Sequence, residues 1–299
     1  MATLLATATA TRPTVDASRP ALARLVNYWL GGKDHFAADR HLADQITRIH
    51  PGIPHGYRAA RQAAIRTVAH LATDGIRQFV DLGPGLPTPD HTDTHCVAQN
   101  IAPTSAVVYV DHDPLVLAHC RALHVSDLAG AVTVVDADAT QPAHLTTAIT
   151  DQLDPTAPVA VLATSLAHHL DDQHLRDLFT RLTRHLPDGS RIVVTTHTTR
   201  RGDQRLRTVQ QRLTQAGIPY HRRPPAQIAQ LLHSCGLTLP APAGPPPGQS
   251  PRPGDDAADD NRDVWADAHV GRIDTGHHRR QTDVLQTTTA RGEAVDVPR

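Results

Sequence analysis

The sequence predicts a Rossmann-like α/β fold, in which a mostly parallel sheet carries helices on both faces. Five short runs rich in Val and Ile alternate with amphipathic stretches of helical period. The runs cover residues 76–82, 106–111, 131–135, 159–164 and 191–196, and the helical stretches cover 91–101, 114–127, 141–153 and 171–186. Parallel strands need crossover helices between them, so this alternation predicts a doubly wound sheet. Ligands of such sheets bind at the carboxyl ends of the strands.

The overall composition favours a globular protein that acts on small molecules. Of the 299 residues, 39% are hydrophobic and 20% are charged, and the net charge is −1. No overall field therefore attracts nucleic acid or an anionic membrane. The longest apolar stretches, such as residues 158–166, are too short to span a bilayer. We expect no membrane or nucleic-acid partner, and the oligomeric state stays open.

Cysteine and histidine usage gives two further expectations. Cys96, Cys120 and Cys235 are far apart and form no CxxC pair, which is typical of reduced thiols in a cytoplasmic protein. The chain has 21 histidines, but none of them shows the spacing of a metal-binding motif such as HExxH. We therefore expect no metal site.

Changes in pattern divide the chain into five parts. Residues 1–18 are predicted to form a mobile tail, residues 19–75 an N-terminal helical region, and residues 76–239 the Rossmann-like core. Residues 240–260 are rich in Pro, Gly and Asp and predict a loop, and 261–299 predict a last edge strand and a polar tail.

The helical region contains three predicted helices, and its role is open. Gly31 and Gly32 end the first helix, Asp34 is the predicted N-cap of the second, and the third covers residues 56–72. The region holds Tyr28, Trp29, Phe36 and Tyr57. It could form a lid over a ligand or a small core against the sheet.

The first predicted strand runs into a glycine-rich turn at residues 78–88. Gly83 and Gly85 allow a tight turn and a close approach of the backbone to a ligand. A dinucleotide fingerprint requires a third glycine where Thr88 stands, and an acid about 20 residues further on. Because the next acid at a strand end, Asp111, comes 26 residues after Gly85, the pattern argues against an NAD-dependent oxidoreductase.

Three acids, Asp81, Asp111 and Asp138, stand at the ends of consecutive predicted strands. A carboxylate at Asp111 can accept hydrogen bonds from both hydroxyls of a ribose. One at Asp138 can accept from an adenine amino group, and Ala139 beside it is small enough to admit the ring. Each acid alone is more typical of a solvated strand end or helix cap, but the series favours an adenosine site.

Two motifs stand out from the rest of the chain. One covers residues 19–40, including the run Tyr28-Trp29-Leu30-Gly31-Gly32-Lys33-Asp34-His35-Phe36, and the other joins residues 78–88 with 108–114. With these motifs the sequence resembles the actinobacterial S-adenosyl methyltransferase family within the class I S-adenosylmethionine-dependent methyltransferases. The resemblance implies seven strands, the last two antiparallel, and S-adenosylmethionine as cofactor.

The resemblance and the strand-end pattern together give a predicted cofactor site. Gly83 and Gly85 would line the methionine part, Asp111 would hold the ribose and Asp138 the adenine, and Thr164 and Ser165 would lie beside the methyl donor. The glycine pair at Gly31 and Gly32, with Lys33, is the stretch of the helical region expected to touch the cofactor. The predicted cofactor-binding residues are Asp81, Gly83, Gly85, Asp111, His112, Asp138, Ala139, Thr164, Ser165, Gly31, Gly32 and Lys33.

The acceptor is not readable from the sequence, and we expect a small molecule. Candidate bases are His35 and His169, chosen by placement alone. Pro84 removes a backbone N–H from the turn, which could weaken cofactor binding. No sequence motif identifies either histidine as a catalytic base. Both points keep an alternative open, in which the protein binds the cofactor without catalysis and acts as a sensor or partner.

Overall fold

A computed structural model describes residues 15–88, 92–126, 129–199, 204–239 and 264–274. Within these ranges the strands are β1 (Gln78–Leu82), β2 (Ala106–Asp111), β3 (Ala131–Asp136), β4 (Val159–Thr164), β5 (Arg191–Thr199), β6 (Leu237–Thr238) and β7 (Val264–Ile273). The helices are α1 (Leu22–Trp29), α2 (Ala37–Ile49), α3 (Gly52–Thr73), α4 (Thr94–Ile101), α5 (Pro114–Leu123), α6 (Pro142–Thr150), α7 (Asp172–His185), α8 (Gln204–Gln215) and α9 (Pro225–Ser234).

The seven strands form one sheet in the order β3-β2-β1-β4-β5-β7-β6. Strands β1 to β5 are parallel to their neighbours, whereas β7 runs antiparallel to both β5 and β6. The strand order reverses between β1 and β4, which places the topological switch point beside the glycine-rich turn after β1. The predicted fold class and the antiparallel edge are confirmed.

Apolar side chains cover both faces of the sheet, as a doubly wound fold requires. On one face, the strands pack against α6, α7 and α9 through residues such as Leu145, Leu178 and Ile228. On the other face, α3 and α4 contribute Val68 and Ala98. All five residues of β1 are buried, including the polar Gln78 and Asp81, because helices cover both faces of the strand.

The N-terminal helices pack on one another and on α8. Their shared core includes Leu25, Trp29, Ile46, Tyr57 and Val209. One side of α1 also reaches the carboxyl edge of the sheet, where it lines the cavity described below. The region therefore has a core of its own and faces the ligand side at the same time.

Two predicted helix starts in this region are wrong. Helix α2 begins at Ala37, not after Asp34, because the carboxylate of Asp39 accepts the N–H of Phe36 at 2.7 Å. The backbone N–H of Asp34 instead donates to Asn27 Oδ1 at 3.0 Å. Helix α3 begins at Gly52, four residues earlier than predicted, directly after the break at Pro51.

Several expectations fall outside the described residues. They are the mobile tail up to residue 14, the loop at 240–260, and the polar tail from residue 275. In the described ranges, no helix combines the length and apolar character needed to cross a bilayer.

Candidate cofactor and acceptor site

A cavity of about 500 Å³ opens at the carboxyl ends of β1 to β4, under α1. This size lies within the range of small-molecule sites. Of the residues singled out from sequence, the cavity is lined by Gly83, Gly85, Asp111, His112, Asp138, Ala139, Thr164, Ser165 and His169. The fold thus brings together residues from four separate strand ends.

The turn after β1 presents its backbone to the cavity. Gly83 and Gly85 have φ angles of 65° and 70°, a region in which residues with a Cβ are strained. The N–H of Gly83 donates to the carbonyl of Val110 at 2.8 Å, which fixes the turn against β2. Pro84 and Leu86 complete this wall.

Two carboxylates mark the next part of the cavity. Asp111 Oδ1 accepts the backbone N–H groups of His112 and Asp113 at 2.8 and 2.9 Å. No described hydrogen bond involves its Oδ2. Burial raises the pKa of Asp111 above its usual value, and the two N–H donors oppose this rise. Asp138 Oδ1 accepts the N–H of Thr140 at 2.8 Å.

Ser165 follows β4 in a strained conformation. Its φ of 56° and ψ of −1° place a non-glycine residue in the left-handed region, which costs of order 1 kcal/mol. The Ser165 hydroxyl is buried and makes no hydrogen bond to the protein. A buried polar group without a partner in a native structure calls for an explanation, and a ligand in the cavity is a candidate.

His169 lies on the same wall, and its hydrogen bonds define its tautomer. Nδ1 lies 2.7 Å from the carbonyl oxygen of Pro219, which can only accept, so Nδ1 carries the proton. Burial lowers the pKa of His169 to about 3, and the ring is therefore neutral. Nε2 then accepts the Tyr57 hydroxyl at 3.1 Å. Tyr57 also lines the cavity.

Arg61, which sequence analysis did not single out, is the cavity-lining cation among the described residues. Its Nη2 donates to Asp93 Oδ1 at 2.6 Å and to Thr88 Oγ1 at 3.3 Å. Its Nε is buried and has no hydrogen-bond partner. Helical spacing in the sequence could have identified Arg61, because it falls on the same stripe of α3 as the buried residues Tyr57, Ala64 and Val68.

The comparisons with known proteins agree on one family. A model of a family described as S-adenosyl methyltransferase matches residues 8–274. A crystal structure of a DUF574-family protein from Streptomyces avermitilis is 32% identical, with a TM-score of 0.74 over 87% of this chain and 99% of that one. A candidate methyltransferase from Thermobifida fusca is 31% identical, with a TM-score of 0.72 over 86% of this chain and 96% of that one. No curated protein matches.

The chain belongs to the S-adenosyl methyltransferase family. It is an S-adenosylmethionine-dependent methyltransferase, and the predicted family, enzyme class and cofactor are confirmed. The cavity fits this cofactor, because it offers a turn with no Cβ at Gly83 or Gly85, carboxylates beside it, and an unpartnered buried hydroxyl at Ser165.

Asp81 of this methyltransferase does not reach the cavity. Its Oδ2 accepts the Thr94 hydroxyl at 2.6 Å on the α4 side of the sheet, and burial raises its pKa. In the sheet register Asp81 pairs with Tyr109, two residues before Asp111. At about 3.3 Å per strand residue, it lies one pleat below the edge that carries Asp111.

Four other candidates also lie outside the cavity of the methyltransferase. Gly31 ends α1 with a φ of 86°, and a Cβ on Gly32 would come within 2.3 Å of the Asn27 side chain. These glycines therefore shape the turn after α1. Lys33 is exposed, and His35 Nδ1 accepts a hydrogen bond from Arg40 at 3.1 Å. Neither of them lines the cavity.

Proposed function

We propose that this methyltransferase transfers the methyl group of S-adenosylmethionine to a small-molecule acceptor inside the 500 Å³ cavity. The observation that carries this proposal is the meeting of the glycine turn, Asp111, Asp138 and Ser165 around one cavity. Helix α1 covers the cavity, which suits a small acceptor better than a surface of nucleic acid or protein.

Each wall of the cavity matches one part of the cofactor. Asp111 has its Oδ2 available for the ribose hydroxyls, because its Oδ1 is occupied by backbone N–H groups. Asp138 and Ala139 lie after β3, where the adenine would rest. Gly83 and Gly85 lie beside the methionine part.

Arg61 gives the site its polarity. The methionine part of the cofactor ends in a carboxylate, and Arg61 contributes a guanidinium to the cavity beside the glycine turn. Its unpartnered Nε can donate to that carboxylate while Nη2 keeps its bonds to Asp93 and Thr88. The adenine and carboxylate ends are then held by groups of opposite charge.

The protein's part in methyl transfer is to align the two reactants and exclude water. When bound, S-adenosylmethionine supplies a methyl group already activated by its sulfonium sulfur. Thr164 ends β4 and Ser165 follows it, beside the expected position of that methyl group. Holding an acceptor in line there removes the entropic cost of bringing two molecules together.

The proposal is tested by calorimetric titration with S-adenosylhomocysteine, the demethylated product. We expect Asp111→Asn to weaken binding by about 1.5–3 kcal/mol, about 10- to 100-fold in Kd, because the hydroxyls lose a charged acceptor. Asp136→Asn is the control, since Asp136 is exposed at the end of β3 and outside the cavity. Equal affinity of the two variants, or no heat with folded wild-type protein, contradicts the proposal.

We also infer a cytoplasmic protein of actinobacterial type. The three cysteines are free thiols, which suits a reducing compartment. The two similar structures come from Streptomyces and Thermobifida. The non-catalytic alternative gains no support from the family match. Methyl transfer from labelled cofactor to any component of a metabolite extract would eliminate it.

A further inference from the structure

The cavity wall after β4 carries no charged side chain. Its uncharged lining residues include Ser165, Tyr57, His169, Leu170, Ile218 and Pro219. We call these six residues the acceptor wall, since they stand where the acceptor would meet the methyl group. The charged residues of the cavity are Asp111 at the end of β2, Asp113 and Asp138 after β2 and β3, and Arg61, which lies one turn of α3 after Tyr57 and is paired with Asp93.

The two ring groups of the acceptor wall form a hydrogen-bonded pair with a fixed direction. His169 Nδ1–H donates to the carbonyl of Pro219, and His169 Nε2 accepts from Tyr57 Oη. The Tyr57 hydroxyl uses its only proton in this bond. Its oxygen lone pairs are therefore left as acceptors.

Packing holds the pair in place. The Tyr57 ring stacks on Trp29 with centroids 5.2 Å apart and contacts the His197 ring at 4.6 Å. His197 Nε2 in turn lies 2.8 Å from the Tyr220 hydroxyl. These buried rings leave Tyr57 little rotational freedom, which is what a group that orients a substrate needs.

The absence of charged side chains in the acceptor wall restricts the kind of acceptor that can bind there. A carboxylate or phosphate would find no cation in the wall itself, because the nearby Arg61 is paired with Asp93 and assigned to the cofactor carboxylate. An alkylammonium would find no anion in the wall, so burying either group would cost the charge its hydration. A hydroxyl is uncharged at neutral pH and has a proton to donate to Tyr57 Oη. The hydrocarbon part of such a molecule fits against Leu170, Ile218 and Pro219.

We propose that the acceptor is an uncharged, largely apolar molecule that is methylated on a hydroxyl, and that Tyr57 Oη accepts the hydrogen bond of this hydroxyl and so orients its oxygen. This inference rests on the proposed function. The acceptor oxygen forms its bond to the methyl carbon, and the electron pair of the broken carbon–sulfur bond stays on sulfur as a thioether. The methylated oxygen then releases its proton to water, because burial lowers the pKa of His169 to about 3 and leaves its ring a poor proton acceptor.

The experiment uses the full chain saturated with S-adenosylhomocysteine and three naphthalene probes of nearly equal size. These are 2-naphthol, its methyl ether 2-methoxynaphthalene, and 2-naphthoate, each titrated by its own fluorescence near neutral pH. We expect 2-naphthol to bind about 10-fold more tightly than the ether, which cannot donate, and than the naphthoate, which is charged.

Two variants locate the preference for a hydroxyl. Tyr57→Phe keeps the ring and its stacking on Trp29, and it should reduce the ratio between 2-naphthol and the ether to within about twofold. Tyr28→Phe is the matched control, because Tyr28 bonds to Asp44 and does not line the cavity. It should leave the ratio unchanged.

The outcomes separate this inference from the function on which it rests. If wild-type protein fails to bind S-adenosylhomocysteine, the proposed function is wrong. If it binds that product but no probe, binds naphthoate most tightly, or keeps the hydroxyl preference in Tyr57→Phe, then the inference about the acceptor is overturned while the function stands.

Discussion

At the residue scale, the Arg61 side chain has one nitrogen that is bonded within the protein and one that has no partner. Its Nη2 is held by Asp93 and Thr88, while its Nε is buried without a hydrogen-bond partner. Thr88 is the residue that stands where a dinucleotide-binding turn would have a third glycine. In this protein its hydroxyl helps to hold the guanidinium in position.

The proposed role of Arg61 is tested by comparing two ligands. S-adenosylhomocysteine carries the amino-acid carboxylate, whereas 5′-methylthioadenosine has the same nucleoside thioether without it. We expect Arg61→Gln to weaken S-adenosylhomocysteine binding about 10- to 100-fold and to leave methylthioadenosine binding within about twofold. A parallel loss for both ligands would mean that Arg61 supports the fold and does not contact the carboxylate.

Only some of the site could be predicted residue by residue. Asp111 ends β2 and Asp138 comes two residues after β3, so the pattern of strands places them at the cavity. Asp81 was misplaced because its distance from the sheet edge depends on the register between β1 and β2, which sequence does not reveal. The Tyr57–His169 pair joins residues 112 apart in the chain, and no local pattern predicts such a contact.

At the scale of elements, the unusual N-terminal motif is explained by one buried carboxylate. Asp39 accepts the N–H of Ala21 at 2.9 Å, the N–H of Phe36 at 2.7 Å and Arg24 Nε at 2.8 Å. It therefore ties the start of α1 to the start of α2. The sequence pattern predicted two helices here, but it could not show that the cap of α2 comes from within its first turn.

We expect Asp39→Asn to lower the free energy of unfolding by about 3–5 kcal/mol, because it leaves the buried Arg24 charge unpaired. Urea unfolding followed by far-UV circular dichroism measures this. Arg176→Ala removes an exposed pair with Asp172 and should change stability by less than about 1 kcal/mol. Similar effects of the two substitutions would contradict the role given to Asp39.

At the scale of the whole molecule, a cluster of neutral histidines links the sheet to the segment before α9. His168 Nδ1 donates to the carbonyl of His221, and its Nε2 accepts the backbone N–H of His197. Burial lowers the pKa of His168 to about 4 and that of His197 well below its usual value. Protonating either ring in the folded protein is therefore unfavourable.

These shifts predict a loss of stability in acid. Because the folded pKa of His168 lies below the unfolded value of 6.5, the unfolded state binds more protons between these two values. The stabilisation is complete above pH 6.5 and declines as the pH falls towards about 4. His168 alone should account for about 2 kcal/mol between about pH 7.5 and pH 5.

Urea midpoints of wild-type protein and His168→Gln at the two pH values test this prediction. The variant should lose less stability on acidification. His185→Gln, which changes an exposed histidine at the end of α7, should behave as wild type. Equal pH dependence in all three proteins would show that His168 does not carry the effect.

The overall fold was predictable because the alternation of strand and helix patterns leaves few topologies for a parallel sheet. The pattern also indicated the edge at which the ligand binds. What it could not supply is the covering of that edge by α1, since the helix residues that line the cavity and those that pack on α8 share the same apolar character.

A crystal structure of the protein with S-adenosylhomocysteine tests the central claim most directly. We predict adenine beside Asp138, ribose hydroxyls on Asp111 Oδ2, the homocysteine carboxylate on Arg61, and the sulfur facing the acceptor wall. Density for the product outside this cavity, or in it with the two ends reversed, would contradict the account.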